Sequence, residues 1–183
     1  LALYDGLSDK VTVNVIAGEN GTVDPLGETA CFYDGELKLT IQPNEGYHTD
    51  RVLVNGEITA CEDNTLTLEH IRSNTTVTVL FARNTYTVSL ADGLTGKVFA
   101  TLPVEYSEDA VLPEVTPWHE GYHFTGWTAD GKNITADCTI TANYEQNSYT
   151  VRFVDYDGTE LSVQTVLHGE AAALPVSPAR EGY

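Results

Sequence analysis

The stretch "NTYTVSL" at residues 84–90 returns later in the chain as "NSYTVRF" at residues 147–153. In both copies apolar residues alternate with polar ones, a period of two that is typical of a half-buried β-strand. A second pair of similar stretches, "VEYSEDAVLP" at 104–113 and "VLHGEAAALP" at 166–175, follows the first pair at nearly the same separation. The chain therefore contains an internal repeat.

The earlier part of the chain follows the same plan. "IRSNTTVTVLFA" at 71–82 aligns with "ITADCTITANYE" at 134–145, and "EGYHTDRVLVNGE" at 45–57 aligns with "EGYHFTGWTADGK" at 120–132. Between these blocks the earlier copy carries a longer hairpin, "EITACEDNTLTLEH". We therefore predict four segments: an N-terminal extension or the end of a preceding repeat at 1–10, a divergent module at 11–83, a second module at 84–146, and a truncated third repeat at 147–183.

The predicted secondary structure is mostly β. Alternating apolar residues recur along the chain, and Asn-Gly and Asp-Gly pairs, which favour tight hairpin turns, stand between the alternating runs. No segment keeps a helical period. The best candidates for a helix are the turns near Ser107–Leu112 and Gly169–Leu174, so we expect at most one short helix per module.

The tripeptide Glu-Gly-Tyr occurs three times, ending at Tyr47, Tyr122 and Tyr183. We interpret it as a structural turn in which glycine supplies backbone freedom and the tyrosine enters the core as the next strand begins. Aromatic side chains bury about 150 to 250 Å² each, so a module of this size depends strongly on them. The predicted aromatic core residues of the repeats are Tyr47, Phe81, Tyr122, Trp127 and Tyr144.

The charge of the chain excludes several classes of partner. The sequence has 27 acidic and 9 basic residues and a formal net charge of −18. Nucleic acids and anionic membranes are bound mainly through Lys and Arg, so neither is an expected partner. No stretch reaches the roughly 18 consecutive apolar residues of a membrane span, so we expect no direct membrane insertion of this sequence.

Candidates for site chemistry are few. The sequence leaves two states of the cysteines open. Either Cys31 and Cys61 form a disulfide and Cys138 is a buried thiol, or all three are small buried thiols. His119 and His123 have the spacing of a helical metal site, but they flank a Gly-Tyr turn in a β context. Catalytic motifs with a nucleophile or a phosphate-binding loop do not occur. We therefore predict no enzyme activity, no cofactor and no metal site.

These combined motifs resemble a known repeat family. Residues 147–183 are similar to the B repeat of listerial internalin, also called the Listeria and Bacteroides repeat, and residues 86–145 resemble a fuller copy that includes "GYHFTGW". Residues 11–83, with "IQPNEGY" and "VLVNG", resemble a divergent form. Val52 stands where the family has tryptophan, which weakens any ligand-binding role for that position.

The resemblance implies small β-grasp-like modules in tandem on secreted or wall-attached bacterial proteins, with no catalytic residues to transfer. The four-residue linker 82–85 spans only about 13 to 14 Å when extended, so we expect an elongated, semi-stiff array. The acidic faces of the modules discourage self-association, so we expect a monomer. The predicted function is a spacer or stalk that presents other domains outside the cell, at the cell surface or in the cell wall.

An adhesive or glycan-binding module is the alternative function. Exposed aromatic residues would then contact a protein or glycan of the host or the environment. Trp118 is the first candidate contact, because Ala179 stands at the matching position of the next repeat and the shared fold therefore does not require an indole there.

Overall fold

The computed structural model describes residues 9–176, and this range contains fourteen β-strands and no helix. The strands up to residue 83 are β1 Lys10–Ala17, β2 Gly21–Asp24, β3 Gly27–Phe32, β4 Gly35–Pro43, β5 Tyr47–Val54, β6 Glu57–Thr59, β7 Thr65–Ile71 and β8 Thr75–Arg83. The later strands are β9 Thr85–Asp92, β10 Val98–Glu105, β11 Tyr122–Trp127, β12 Cys138–Gln146, β13 Ser148–Val154 and β14 Glu160–Leu167. The start of the predicted N-terminal segment and the third Glu-Gly-Tyr lie outside the described residues.

The chain divides into two compact units. Unit 1 contains the described residues up to Tyr86 together with Val104–Glu108 and Asn133–Ala136. Unit 2 contains Thr87–Pro103, Asp109–Lys132 and the described residues from Asp137 onward.

Unit 1 contains two sheets made only of strands β1 to β8. The larger has the strand order β3-β1-β8-β5-β6, in which β1 and β8 run parallel and the other neighbours run antiparallel. The smaller is an antiparallel sheet with the order β2-β4-β7. All pairings among strands β1 to β8 lie between Lys10 and Arg83.

One hydrophobic cluster joins the two sheets of unit 1. Alternation along β1 and β8 turns Val13, Val77 and Val79 to the same interior, where their side chains have no accessible surface. Leu39 of the smaller sheet is equally inaccessible and belongs to the same cluster. Valine suits this position because its β-branched side chain packs well against a pleated surface. The centre of the core is thus aliphatic.

Unit 2 contains a shorter version of the same plan. Its main sheet has the order β10-β9-β12-β11, with β9 and β12 parallel and β11 antiparallel to β12. Val88, Leu90 and Ile140 form the centre and are at most 2% exposed. Strands β13 and β14 form a separate antiparallel hairpin.

The two main sheets confirm the alignment made from the sequence. In each sheet the first strand lies parallel to the last, a further strand pairs with the outer edge of the first, and the strand that begins at Gly-Tyr pairs with the last strand. Val52 faces Val79 and Trp127 faces Ala142 in the equivalent registers, and both strands have a bulge after the equivalent residues Thr49 and Phe124. This 2-1-4-3 order with a central parallel pair is β-grasp-like.

The connection between β10 and β11 replaces the helix that a β-grasp sheet often carries. The candidate helix at Ser107–Leu112 is a turn followed by irregular backbone, and Gly169–Leu174 has no helical turn either. In the first module the equivalent connection, between β3 and β5, contains strand β4, and strands β6 and β7 lie after β5, in the longer hairpin predicted at 57–70.

Replacing Val88 by alanine should reduce the free energy of unfolding by about 2 to 3 kcal/mol, because it removes two methyl groups from a fully buried site. Val98→Ala on the neighbouring strand is the matched control, since Val98 is 54% exposed. The control should cost less than about 1 kcal/mol. Urea denaturation followed by tryptophan fluorescence measures both, and equal losses would contradict the assignment of Val88 to the core.

Candidate functional site

The connection from β10 to β11 presents apolar side chains to solvent. Within unit 2, Val111, Val115 and Trp118 are 85%, 82% and 82% exposed. This part of the chain, residues 109–121, contains no strand. Trp118 is therefore a large exposed aromatic side chain on an irregular segment, as the adhesive alternative requires.

His119 holds the backbone next to Trp118 in place. Its Nε2 lies 2.7 Å from Oδ2 of Asp92, the last residue of β9. The imidazole also packs edge-on against the ring of Tyr144, with 4.8 Å between the ring centroids. The segment is thus anchored to the sheet immediately beside an indole that remains in solvent.

Asp92 is the buried charged residue of this anchor, with only 4% of its surface exposed. Its Oδ1 accepts hydrogen bonds from the backbone amides of Leu94 and Thr95, at 2.8 Å and 3.1 Å. Burial by itself raises the pKa of Asp92. The two amide bonds and the interaction with His119 outweigh burial and leave the pKa below its ordinary value of 3.8.

A chain of rings leads from His119 across the sheet of unit 2. Phe124 lies 6.0 Å from Tyr144 and 5.5 Å from Trp127, and Phe99 lies 6.2 Å from Trp127, measured between ring centroids. The sequence reasoning did not single out Phe99 and Phe124. Phe124 lies inside the motif "GYHFTGW", so the sequence contained a signal for an aromatic contact at this position.

The predicted aromatic core residues occupy the margin of the core. All five are half-buried, whereas the fully buried side chains are valine, leucine, isoleucine and alanine. The residues with this intermediate exposure are Tyr47, Phe81, Tyr122, Trp127 and Tyr144. Aromatic rings therefore flank an aliphatic centre.

The cysteines are free thiols. Cys31 is buried in the hydrophobic cluster of unit 1, and Cys61 is partly buried and packs against the same cluster. The structure thus has small apolar thiols at these positions rather than the bridge that the sequence left open. Cys138 is also free and half-buried.

The two histidines that share a metal-like spacing have different partners. His119 contacts Asp92, whereas Nδ1 of His123 lies 2.8 Å from Oδ1 of Asn147. Within residues 9–176, no group of three or more His, Cys, Asp or Glu side chains is arranged to hold a metal ion. The described residues also include no helix that is long and apolar enough to cross a membrane.

Asp92→Asn should reduce the free energy of unfolding by about 1 to 3 kcal/mol at pH 7, because it weakens hydrogen bonds to a buried carboxylate. A lowered pKa means that the ionised form stabilises the fold above the ordinary pKa of 3.8. This contribution is lost as the pH falls through the pKa of the folded state. The difference between wild type and variant should therefore shrink in acid.

Glu120→Gln is the control for this prediction, since it removes the same charge from an exposed side chain next to His119. It should change stability by less than about 0.5 kcal/mol. Urea denaturation at pH 7 and at pH 3 gives both values. A gap between wild type and Asp92→Asn that stays constant with pH would contradict the role of the Asp92 carboxylate.

Comparison with known families assigns nearly the whole chain. Residues 11–85 and 86–155 match the divergent InlB B-repeat domain, and residues 149–183 match the Listeria-Bacteroides repeat domain. Among solved structures, "Streptococcal High Identity Repeats in Tandem (SHIRT) domains 3-4 from cell surface protein" is 15% identical. It covers 75% of this chain and 98% of that chain with a TM-score of 0.33.

Curated relatives are much longer proteins. A putative membrane protein of Evansella cellulosilytica is 32% identical over 55% of this chain, and Internalin H of Listeria monocytogenes is 33% identical over 42%. The matched region is 16% of the length of each of these relatives. Because the two family models together extend over residues 11–183, the chain belongs to the InlB B-repeat family, with two divergent copies followed by a Listeria-Bacteroides repeat.

Proposed function

We propose that this repeat region is a non-catalytic, semi-rigid spacer that presents other domains outside the cell, at the cell surface or in the cell wall. The family supports this proposal, because its members are repeat domains and the relatives are named as an internalin and a membrane protein. In this role the array needs no cofactor.

The direction of the chain through each repeat is the observation that carries the proposal. The first and the last strand run parallel in both main sheets. Parallel strands begin at the same end, so the chain enters each sheet at one end and leaves it at the other. β8 and β12 each have 9 residues. Such a strand is roughly 30 Å long at about 3.3 Å per residue, so each repeat advances the chain by about that length.

The surface charge also suits a spacer. A formal net charge of −18 is distributed over the repeats and disfavours association between copies of the chain. A monomeric array keeps the separation between the domains at its two ends defined by the number of repeats.

Small-angle X-ray scattering of the chain tests the proposal. A compact globule of 183 residues has a radius of gyration of about 16 Å. Repeats that follow one another end to end should give a value well above this and a pair-distance distribution with a long tail. A radius of gyration near the compact value would contradict the spacer role.

An adhesive role is the second candidate, supported by the exposure of Trp118 on an anchored segment. Its ligand would be a protein or a glycan of the host or the environment. Aromatic faces bind sugar rings and apolar side chains without requiring charge, which suits an acidic protein. Such a ligand would reach Trp118 without displacing any residue of the sheet.

Binding to glycan and matrix-protein arrays tests this candidate. An adhesive chain should lose at least about tenfold in affinity in Trp118→Ala, because hot-spot tryptophans cost about 2 kcal/mol or more when truncated. Tyr156→Ala is the matched control, since Tyr156 is also 82% exposed. Equal binding by both variants, or no binding by the wild type, would contradict adhesion through Trp118.

A further inference from the structure

The asparagine that starts the second repeat is hydrogen-bonded on both sides. The Asn84 amide donates to the carbonyl oxygen of Gly46 at 2.8 Å, and the Asn84 carbonyl accepts from the amide of Tyr106 at 2.8 Å. The side-chain oxygen Oδ1 of Asn84 lies 3.0 Å from Nδ1 of His48. This linker residue is therefore bonded both to the Glu-Gly-Tyr turn and to the turn that follows β10.

The same set of contacts recurs at the start of the third repeat. The Asn147 amide donates to the carbonyl oxygen of Gly121 at 2.7 Å, and the Asn147 carbonyl accepts from the amide of His168 at 2.8 Å. Oδ1 of Asn147 lies 2.8 Å from Nδ1 of His123. The repeated sequence motifs "EGYH" and "NTY" or "NSY" thus form the same set of hydrogen bonds in both copies.

In both places a ring lies directly over the glycine. A Cβ atom added to Gly46 would stand 2.1 Å from the nearest ring atom of Tyr106, and one added to Gly121 would stand 2.2 Å from the ring of His168. Real Cβ atoms do not approach other atoms this closely. Only glycine leaves room for the ring at these two positions.

The turn that carries the ring has the same shape in both copies. Tyr106 and His168 each directly follow the second strand of their repeat. The next residues, Ser107 and Gly169, both have a positive φ, of 67° and 82°. A non-glycine residue rarely adopts a positive φ, yet Ser107 does so at the position where the next repeat has Gly169. The two turns therefore share this backbone conformation.

The last strand of each repeat adds a further contact to the same turn. Arg83 at the end of β8 pairs with Glu105, at 3.6 Å, and with Glu108. At the equivalent position of β12, Nε2 of Gln146 donates to the carbonyl oxygen of His168 at 2.8 Å. The chemistry differs, but the partner is the ring-bearing turn in both copies.

Both groups of contacts are internal to a compact unit. Gly46, Asn84 and Tyr106 all belong to unit 1, and Gly121, Asn147 and His168 all belong to unit 2. Each unit therefore includes a Glu-Gly-Tyr turn of one repeat together with the ring-bearing turn of the following repeat.

We propose that the Glu-Gly-Tyr turn is a docking surface for a planar side chain, tyrosine or histidine, of the following repeat. Turn, asparagine and ring together form a joint that couples the folding of consecutive repeats. This inference goes beyond the spacer proposal, because the joint would couple the repeats of an adhesive array equally well.

The backbone conformation of glycine does not explain the joint by itself. Gly46 has a φ of 79°, and Gly56 in the β5–β6 hairpin has a φ of 88°, so alanine is strained at either position. A Cβ at Gly56 would meet no atom within 4 Å, whereas one at Gly46 would collide with Tyr106. The two positions therefore separate the cost of the φ angle from the cost of losing the docked ring.

Chemical denaturation of Gly46→Ala and of the control Gly56→Ala tests the joint. We expect the unfolding equilibrium constant to rise at least about tenfold more for Gly46→Ala than for Gly56→Ala, since a clash adds to the same backbone strain. In a Tyr106→Ala background the ring is absent, and the two alanine variants should then agree within about threefold.

The second joint provides an independent repetition should Tyr106→Ala fail to fold. Gly121→Ala is compared with Gly158→Ala, whose φ of 87° and open surroundings match it, in wild-type and His168→Ala backgrounds. We expect Gly121→Ala to raise the unfolding equilibrium constant at least about tenfold more than Gly158→Ala, and this difference to disappear in the His168→Ala background. Equal effects of the paired glycine variants, or an excess that persists without the ring, would overturn the proposal.

Discussion

The parallel pairing of the first and the last strand in each repeat is the constraint on which the rest of the structure depends. Val15 faces Val77, and Leu90 faces Ile140, at the centre of the two main sheets. Two parallel strands cannot be joined by a hairpin, so the chain between them must cross from one end of the sheet to the other. This crossing separates the entry and the exit of each repeat.

The remaining features follow from this separation. The crossing segment of unit 2 has no helix to hold it, and the contact of His119 with buried Asp92 anchors it while Trp118 stays exposed. The exit of one repeat is the entry of the next, so Asn84 lies beside both the Gly-Tyr turn and the ring-bearing turn. The parallel pairing thus accounts for three features: the chain leaves each repeat at the opposite end from its entry, the crossing segment needs an anchor, and the linker residue is hydrogen-bonded to turns of both repeats.

Period-two alternation and self-alignment were enough to predict a mostly β fold, the equivalence of Val52 and Trp127, and the longer hairpin. They could not place the aromatic side chains at the margin of the core, because the alternating pattern does not show that aliphatic side chains fill the centre. The contact between Asp92 and His119 also escaped prediction, since it joins residues far apart in sequence and has no counterpart in the first module, where Ala17 and Asn44 align with them.

Hydrogen exchange of the amides in the linkers and in the ring-bearing turns tests the central claim most directly. This claim is that the linker between consecutive repeats is held by hydrogen bonds and is not a flexible segment. The Asn84, Tyr106, Asn147 and His168 amides should exchange as slowly as amides of the adjoining strands, because each donates to a carbonyl within 2.8 Å. Exchange of these four amides at the rate of an unstructured peptide would contradict the account.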